Sequence, residues 1–97
     1  MKSIIQSEKR CYICGTEYGT IDDHHLLGGP NRDLSEKFGL KIWLCRRCHS
    51  EIHNHNKVVI GNQVVTMLDL KQLGQRTFEE HYGNREEYIR LFGKNWL

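Results

Sequence analysis

Short apolar clusters punctuated by glycine occupy the first two thirds of the chain, and a helical repeat occupies the last third. Residues 20–27 predict a strand, which Gly28-Gly29-Pro30 breaks. Residues 31–38 predict one or two turns of helix, with Gly39 as the stop. Residues 40–44 (LKIWL) predict a short apolar strand that runs into Cys45, and residues 46–55 predict a helix. The stretch KVVIGNQVVT at 57–66 reads either as a hairpin turning at Gly61-Asn62 or as a loop leading into a helix. From 67 to 82, Leu70, Leu73, Phe78 and Tyr82 fit one helical face, with Gly74 as a weak spot. Gly83 ends that helix. Asn84 and Glu87 then form a capping box for a last helix at 85–92, which Gly93 closes.

A chain of 97 residues predicts one domain, 1–97, with a front part at 11–56 and a helical extension at 57–97. So short a chain buries a thin core, and a metal staple would help it. No apolar run suits a secretion signal or a membrane span, which predicts a cytoplasmic protein without a membrane partner. The formal net charge is +2, and four thiolates around one Zn²⁺ would cancel it. Any affinity for phosphate must then come from local clustering and bound metal.

Candidate chemistry concentrates in CYIC (11–14), DDHH (22–25) and CRRCHSEIH (45–53). Cys11, Cys14, Cys45 and Cys48 form two CxxC pairs. Two residues between thiols let both sulfurs of a pair converge on one tetrahedral ion, so these four predict a closed structural zinc site. Cys45 and Cys48 fall at the start of the predicted helix, where the helix dipole favours thiolates. A knuckle paired with a helix N-terminus is a treble-clef layout, and the expected class is a small zinc-stapled α+β domain with C-terminal helices.

The histidines predict a second, open site. His49 and His53 are four apart on one helix and share a face. Glu51 is one place late for an HExxH metalloprotease. His24 and His25 are adjacent on a predicted strand and so point to opposite faces. One can bind metal with His49 and His53. The other, kept free of metal, suits a general base. His55 and His81 read as surface or packing residues.

DDHHLLGG followed by LCRRCHSEIH resembles the HNH (ββα-metal) endonuclease motif with its accompanying CxxC pairs, and short phage and prophage HNH proteins are particularly similar, down to the terminal FGKNWL. The resemblance covers about residues 11 to 55. It implies a metal-dependent cut of a DNA phosphodiester, with His24 as a ligand beside His49 and His53, and His25 as the base. A second register, Asp23 as ligand and His24 as base, is also open; Leu26 after His25 fits the first. The family's usual asparagine, about five residues before the helical CxxC, is replaced by Leu40, and Asn31 in the loop is the candidate substitute. The implied cofactors are structural Zn²⁺ and a catalytic divalent ion (Zn²⁺, Ni²⁺, Mn²⁺ or Mg²⁺). The implied partners are DNA, and beyond it a second copy of the chain or other phage DNA-processing proteins.

Arg32, Arg46 and Arg47 are the candidate phosphate contacts, because a guanidinium fork matches two phosphate oxygens. Trp43 reads as core, and Tyr88 and Trp96 as pins for the C-terminus. Two alternatives accompany the nuclease reading. One is a treble-clef zinc module that binds nucleic acid or protein without cutting it. The other is a dimeric junction resolvase with the same chemistry on a different substrate.

Overall fold

The computed structural model describes residues 1–97. It is a small α+β structure of two antiparallel ribbons and four helices. Strand β1 (Ile21–His25) pairs with β2 (Lys41–Cys45), and helix α2 (Arg46–His55) follows β2 without a break. Between the strands lie a 3-10 turn (Gly29–Asn31) and helix α1 (Arg32–Lys37). The ribbon is thus somewhat shorter than the apolar pattern predicts, and Leu40 lies just outside it with its carbonyl accepting from Leu26 N–H.

Residues before β1 run along the outer edge of β2. Ile4 N–H donates to Gly39 O, Trp43 N–H to the Gln6 side chain, and Tyr12 N–H to Trp43 O. These bonds occupy an edge that would otherwise expose unpaired backbone groups. Gly39 is needed at the corner. Its φ is +69°, and a Cβ there would stand 2.6 Å from the Lys2 carbonyl oxygen. Gly39→Ala is therefore expected to cost at least about 1–2 kcal/mol from left-handed strain alone, read as a lower urea midpoint; an unchanged midpoint would contradict this placement.

The ambiguous stretch after α2 is a hairpin, β3 (Lys57–Ile60) with β4 (Gln63–Thr66). Gly61 takes φ +59° at the first central position of its turn, the place where a two-residue type II′ turn needs glycine. Asn56 caps α2 in the left-handed region, and its carbonyl accepts from Met67 N–H, so the hairpin's two ends are tied together. Helix α3 (Met67–His81) starts on a capping box of Thr66 and Asp69, and α4 (Arg85–Phe92) on the expected one of Asn84 and Glu87.

The core runs from Leu26, Leu27, Leu40, Ile42 and Leu44 through Ile52 and Val58 to Leu70, Phe78, Tyr88 and Phe92. Tyr88 stacks on Phe92, ring centroids 4.5 Å apart. Gly74 is not a weak spot but a point of close approach. A Cβ there would meet Leu27 Cδ2 at 2.5 Å and Leu26 Cβ at 3.1 Å, so glycine lets α3 lie directly on the segment leaving β1. That contact sets α3 beside the histidine-bearing strand. No helix is long and apolar enough to cross a membrane.

Candidate metal centres

The four cysteines converge where the first CxxC loop meets the start of α2. Their sulfurs lie within 4.8 Å of one another. A tetrahedral zinc with Zn–S of about 2.3 Å sets a sulfur–sulfur edge of about 3.8 Å, and Cys14 and Cys45 Sγ stand 3.7 Å apart. Each pair brings an amide to its first sulfur: Cys14 N–H donates to Cys11 Sγ and Cys48 N–H to Cys45 Sγ, both at 3.4 Å. Burial opposes ionisation of Cys11, yet the amides of Cys14, Cys45 and Ile13 draw its thiol down to about 7. Burial and the neighbouring Cys45 and Cys11 push Cys48 far up. So crowded a set of thiols, with no disulfide among them, fits a divalent cation that offsets half the charge of four thiolates. The chain is thus a compact metal-binding module whose four-cysteine cluster suits a structural Zn²⁺.

The second cluster is built by β1 and α2 together. The ring nitrogens of His24, His49 and His53 lie within 4.8 Å of one another. His49 and His53 are one helical turn apart, with their Nε2 atoms at 3.0 Å. His24 is 4% exposed, and its ring sits edge-on to both others at centroid distances of 5.3 and 5.5 Å. Its Nε2 is buried with no hydrogen-bond partner. Burial, then the charges of His49, His53 and His25, lowers its pKa to about 3, so the ring is a neutral base. His53 is lowered too, by burial and by His49. A buried, neutral, unpartnered nitrogen facing two further imidazoles is the donor set a transition-metal ion takes.

Asp22, absent from the sequence-derived site, completes this cluster. Its Oδ2 stands 3.1 Å from His49 Nδ1, which leaves His49 Nε2 facing His53. A carboxylate behind a ligand imidazole fixes its orientation and tautomer. Arg46 and then His49 hold the Asp22 carboxyl below its usual range.

His25 points to the other side of β1, as the strand period requires. Its Nε2 is 2.8 Å from Glu36 Oε1 on α1. Lys41 Nζ lies 3.0 Å from the same carboxylate and 3.1 Å from Asp23. The Met1 amino group, His25 and Lys41 together hold Glu36 far below the ordinary carboxylate range. A neutral His25 that donates from Nε2 to this carboxylate would keep Nδ1 as its acceptor nitrogen.

A cavity of about 690 Å³ joins the two faces. His24, His25, His49 and His53 line it, together with Asn31, Arg32, Lys71, Lys94 and Trp96. Comparison with known proteins finds no match: no family model matches the chain, nor does any curated protein or solved structure.

Several expected residues sit differently from their sequence reading. Asn31 does not brace His25; its Nδ2 donates to the Phe92 carbonyl at 2.8 Å and ties the loop to the end of α4, while Glu36 holds His25. Leu40 is fully buried. Ser35 ties this corner together: its buried hydroxyl donates to Leu40 O and accepts from Leu27 N–H. Arg46 is paired with Asp22 at 3.1 Å. Arg47 is exposed and does not line the cavity. Of the three arginines only Arg32 lines the cavity, whereas Lys71 and Lys94 do so unexpectedly. Asp23 stays with His25, Glu36 and Lys41, so His24 and not Asp23 joins the helix pair.

Proposed function

We propose that this chain is a metal-dependent endonuclease of the HNH class that hydrolyses a DNA phosphodiester bond. The observation that carries the reading is His24: a buried imidazole with an unpartnered Nε2, aimed at two histidines of one helix, while the adjacent His25 is held by Glu36 on the opposite face. Cys11, Cys14, Cys45 and Cys48 would hold a structural zinc ion, and His24, His49 and His53 a second divalent ion. An all-imidazole set favours a transition metal over Mg²⁺. When bound there, such an ion would stabilise the charge that builds on the phosphate and on the leaving oxygen.

The chain's own residues supply the rest. His25 takes a proton from a water molecule through the nitrogen that Glu36 leaves free. The hydroxide forms a bond to phosphorus as the bond to the 3′ oxygen breaks, and that oxygen takes a proton from solvent water, which leaves 5′-phosphate and 3′-hydroxyl ends, as the family likeness implies. Glu36 keeps the His25 ring oriented and stabilises the imidazolium that results. Asp22 keeps His49 aimed at the ion. Arg32, Lys71 and Lys94 supply positive charge along the cavity for the DNA backbone.

A zinc module that binds without cutting is the second reading, favoured by Leu40 at the family's asparagine position. Plasmid nicking by the wild type separates the two, and calorimetric titration of His53→Ala with the same nicking assay tests the ligand set. The enzyme reading expects loss of the second ion's binding and of plasmid cleavage, with the cysteine zinc retained. Unchanged affinity and unchanged cleavage in that variant would overturn the assignment.

A further inference from the structure

Holding down the C-terminus explains only part of the position of Trp96. The tail is bolted to α3 through backbone atoms: Gln72 Nε2 donates to Trp96 O at 2.9 Å, and Trp96 N–H donates to Gln75 Oε1 at 2.7 Å. Gln75 is itself fully buried, so these bonds anchor the backbone of the tail. One part of the indole packs against the core. The rest lines the histidine cavity and also a second cavity of about 500 Å³, bordered by His55, Lys57 and Thr66. The two cavities share Met67, Lys71 and Trp96. They form a track that leads from the histidines past the indole toward the end of α2.

The charge along this track is cationic. Lys71 and Lys94 each hold an ammonium 4.3 Å from the Trp96 ring centroid, Arg32 lines the same cavity, and Lys57 borders the far one. The acidic residue on the wall, Asp23, is paired with Lys41. An aromatic face between ammonium groups, beside a site suited to phosphate chemistry, matches how proteins hold single strands: a base stacks on the ring and cations follow the backbone. Exposed ammonium–aromatic contacts are weak. A base that takes one ammonium's place on the ring frees that lysine to pair with a neighbouring phosphate.

We propose that Trp96, with Lys71 and Lys94, receives an unpaired nucleobase next to the phosphate at the histidine centre, so that the substrate is DNA with an unpaired strand. This rests on the nuclease reading for the cut itself. Inside a duplex each base is already stacked on both faces and cannot offer one to the indole.

The test is a fluorescence titration with oligothymidylate and with a blunt hairpin duplex of equal length, before any divalent ion is added to the purified protein. Trp43→Phe leaves Trp96 as the one emitter, since the chain has two tryptophans. Oligothymidylate is expected to quench the emission and to bind more tightly than the duplex. In otherwise wild-type protein, followed by anisotropy of a labelled strand, Trp96→Ala should weaken strand binding roughly 10-fold, with Trp96→Phe restoring most of it. Zinc content and circular dichroism establish that both variants fold. Lys71→Ala should lower the salt dependence of binding. Equal affinity for strand and duplex, or unchanged strand affinity in Trp96→Ala, overturns the proposal. Cleavage is scored separately. Trp96-dependent strand binding with no cleavage under any divalent ion would sink the nuclease and keep the strand site. Cleavage with Trp96-independent binding would do the reverse.

Discussion

Cys48→Ser is expected to leave the chain without its zinc and largely unfolded at ordinary temperature. Cys48 is fully buried and stands among three other thiols at the join of the knuckle and α2. Serine keeps the volume but gives up a thiolate donor, and the closed cage loses one of its four bonds. A structural zinc contributes about 10 kcal/mol or more to the folding of small zinc modules. That is comparable with the whole stability of a typical domain, about 5–15 kcal/mol. The remaining core is thin, and much of it hangs on the β1–β2 ribbon that the cage closes. Melting followed by circular dichroism, with metal content measured on the same sample, checks this. Wild-type melting with wild-type zinc content in Cys48→Ser would refute a structural role for the cage.

The second large effect is expected at His25. His25→Ala should bind both metals and DNA normally, yet lose roughly 10² to 10⁴ in single-turnover cleavage, the usual contribution of a positioned base. His24→Ala should instead lose affinity for the second ion together with activity. The asymmetry follows from the strand: His24 turns toward His49 and His53, and His25 toward Glu36. The competing register, with Asp23 as ligand and His24 as base, predicts that His25→Ala cuts at the wild-type rate. Glu36→Gln distinguishes orientation from metal binding. It should slow cleavage while leaving the affinity for the second ion unchanged, because Glu36 touches His25 and not the histidine trio.

The cysteine cage and the histidine trio were legible because their signals are local. CxxC spacing brings two sulfurs together within one turn, and a gap of four brings His49 and His53 onto one helix face. The two-residue period of a strand separates His24 from His25, and the same period puts Asp22 on the face of His24, so its place behind His49 was readable from DDHH. Glu36 was not. It reaches His25 only because α1 folds back onto the ribbon, and nothing in RDLSEK marks one carboxylate above another. Asn31 was misjudged for the same reason, since its partner, the Phe92 carbonyl, lies 61 residues away in the chain. Gly74 looked like a flaw in a helix until the leucines after β1 came within reach of it. The lysines at 71 and 94 lie outside the motif altogether: the packing of α3 on Leu26 and Leu27 brings Lys71 to the cavity, and the return of the tail along α3 brings Lys94. Arg46, by contrast, lies inside the motif but is taken up by Asp22.

The central claim is that the histidine trio holds an ion with which the chain cuts DNA. Metal content per chain, measured beside the nicking of supercoiled plasmid by the same preparation titrated with Zn²⁺, Ni²⁺, Mn²⁺ or Mg²⁺, tests it most directly. The expected result is one tightly held zinc, one further ion bound by the wild type and lost in His49→Ala, and nicking that appears and disappears with that second ion. One zinc per chain, with no further ion bound and no nicking under any of the four metals, would contradict it.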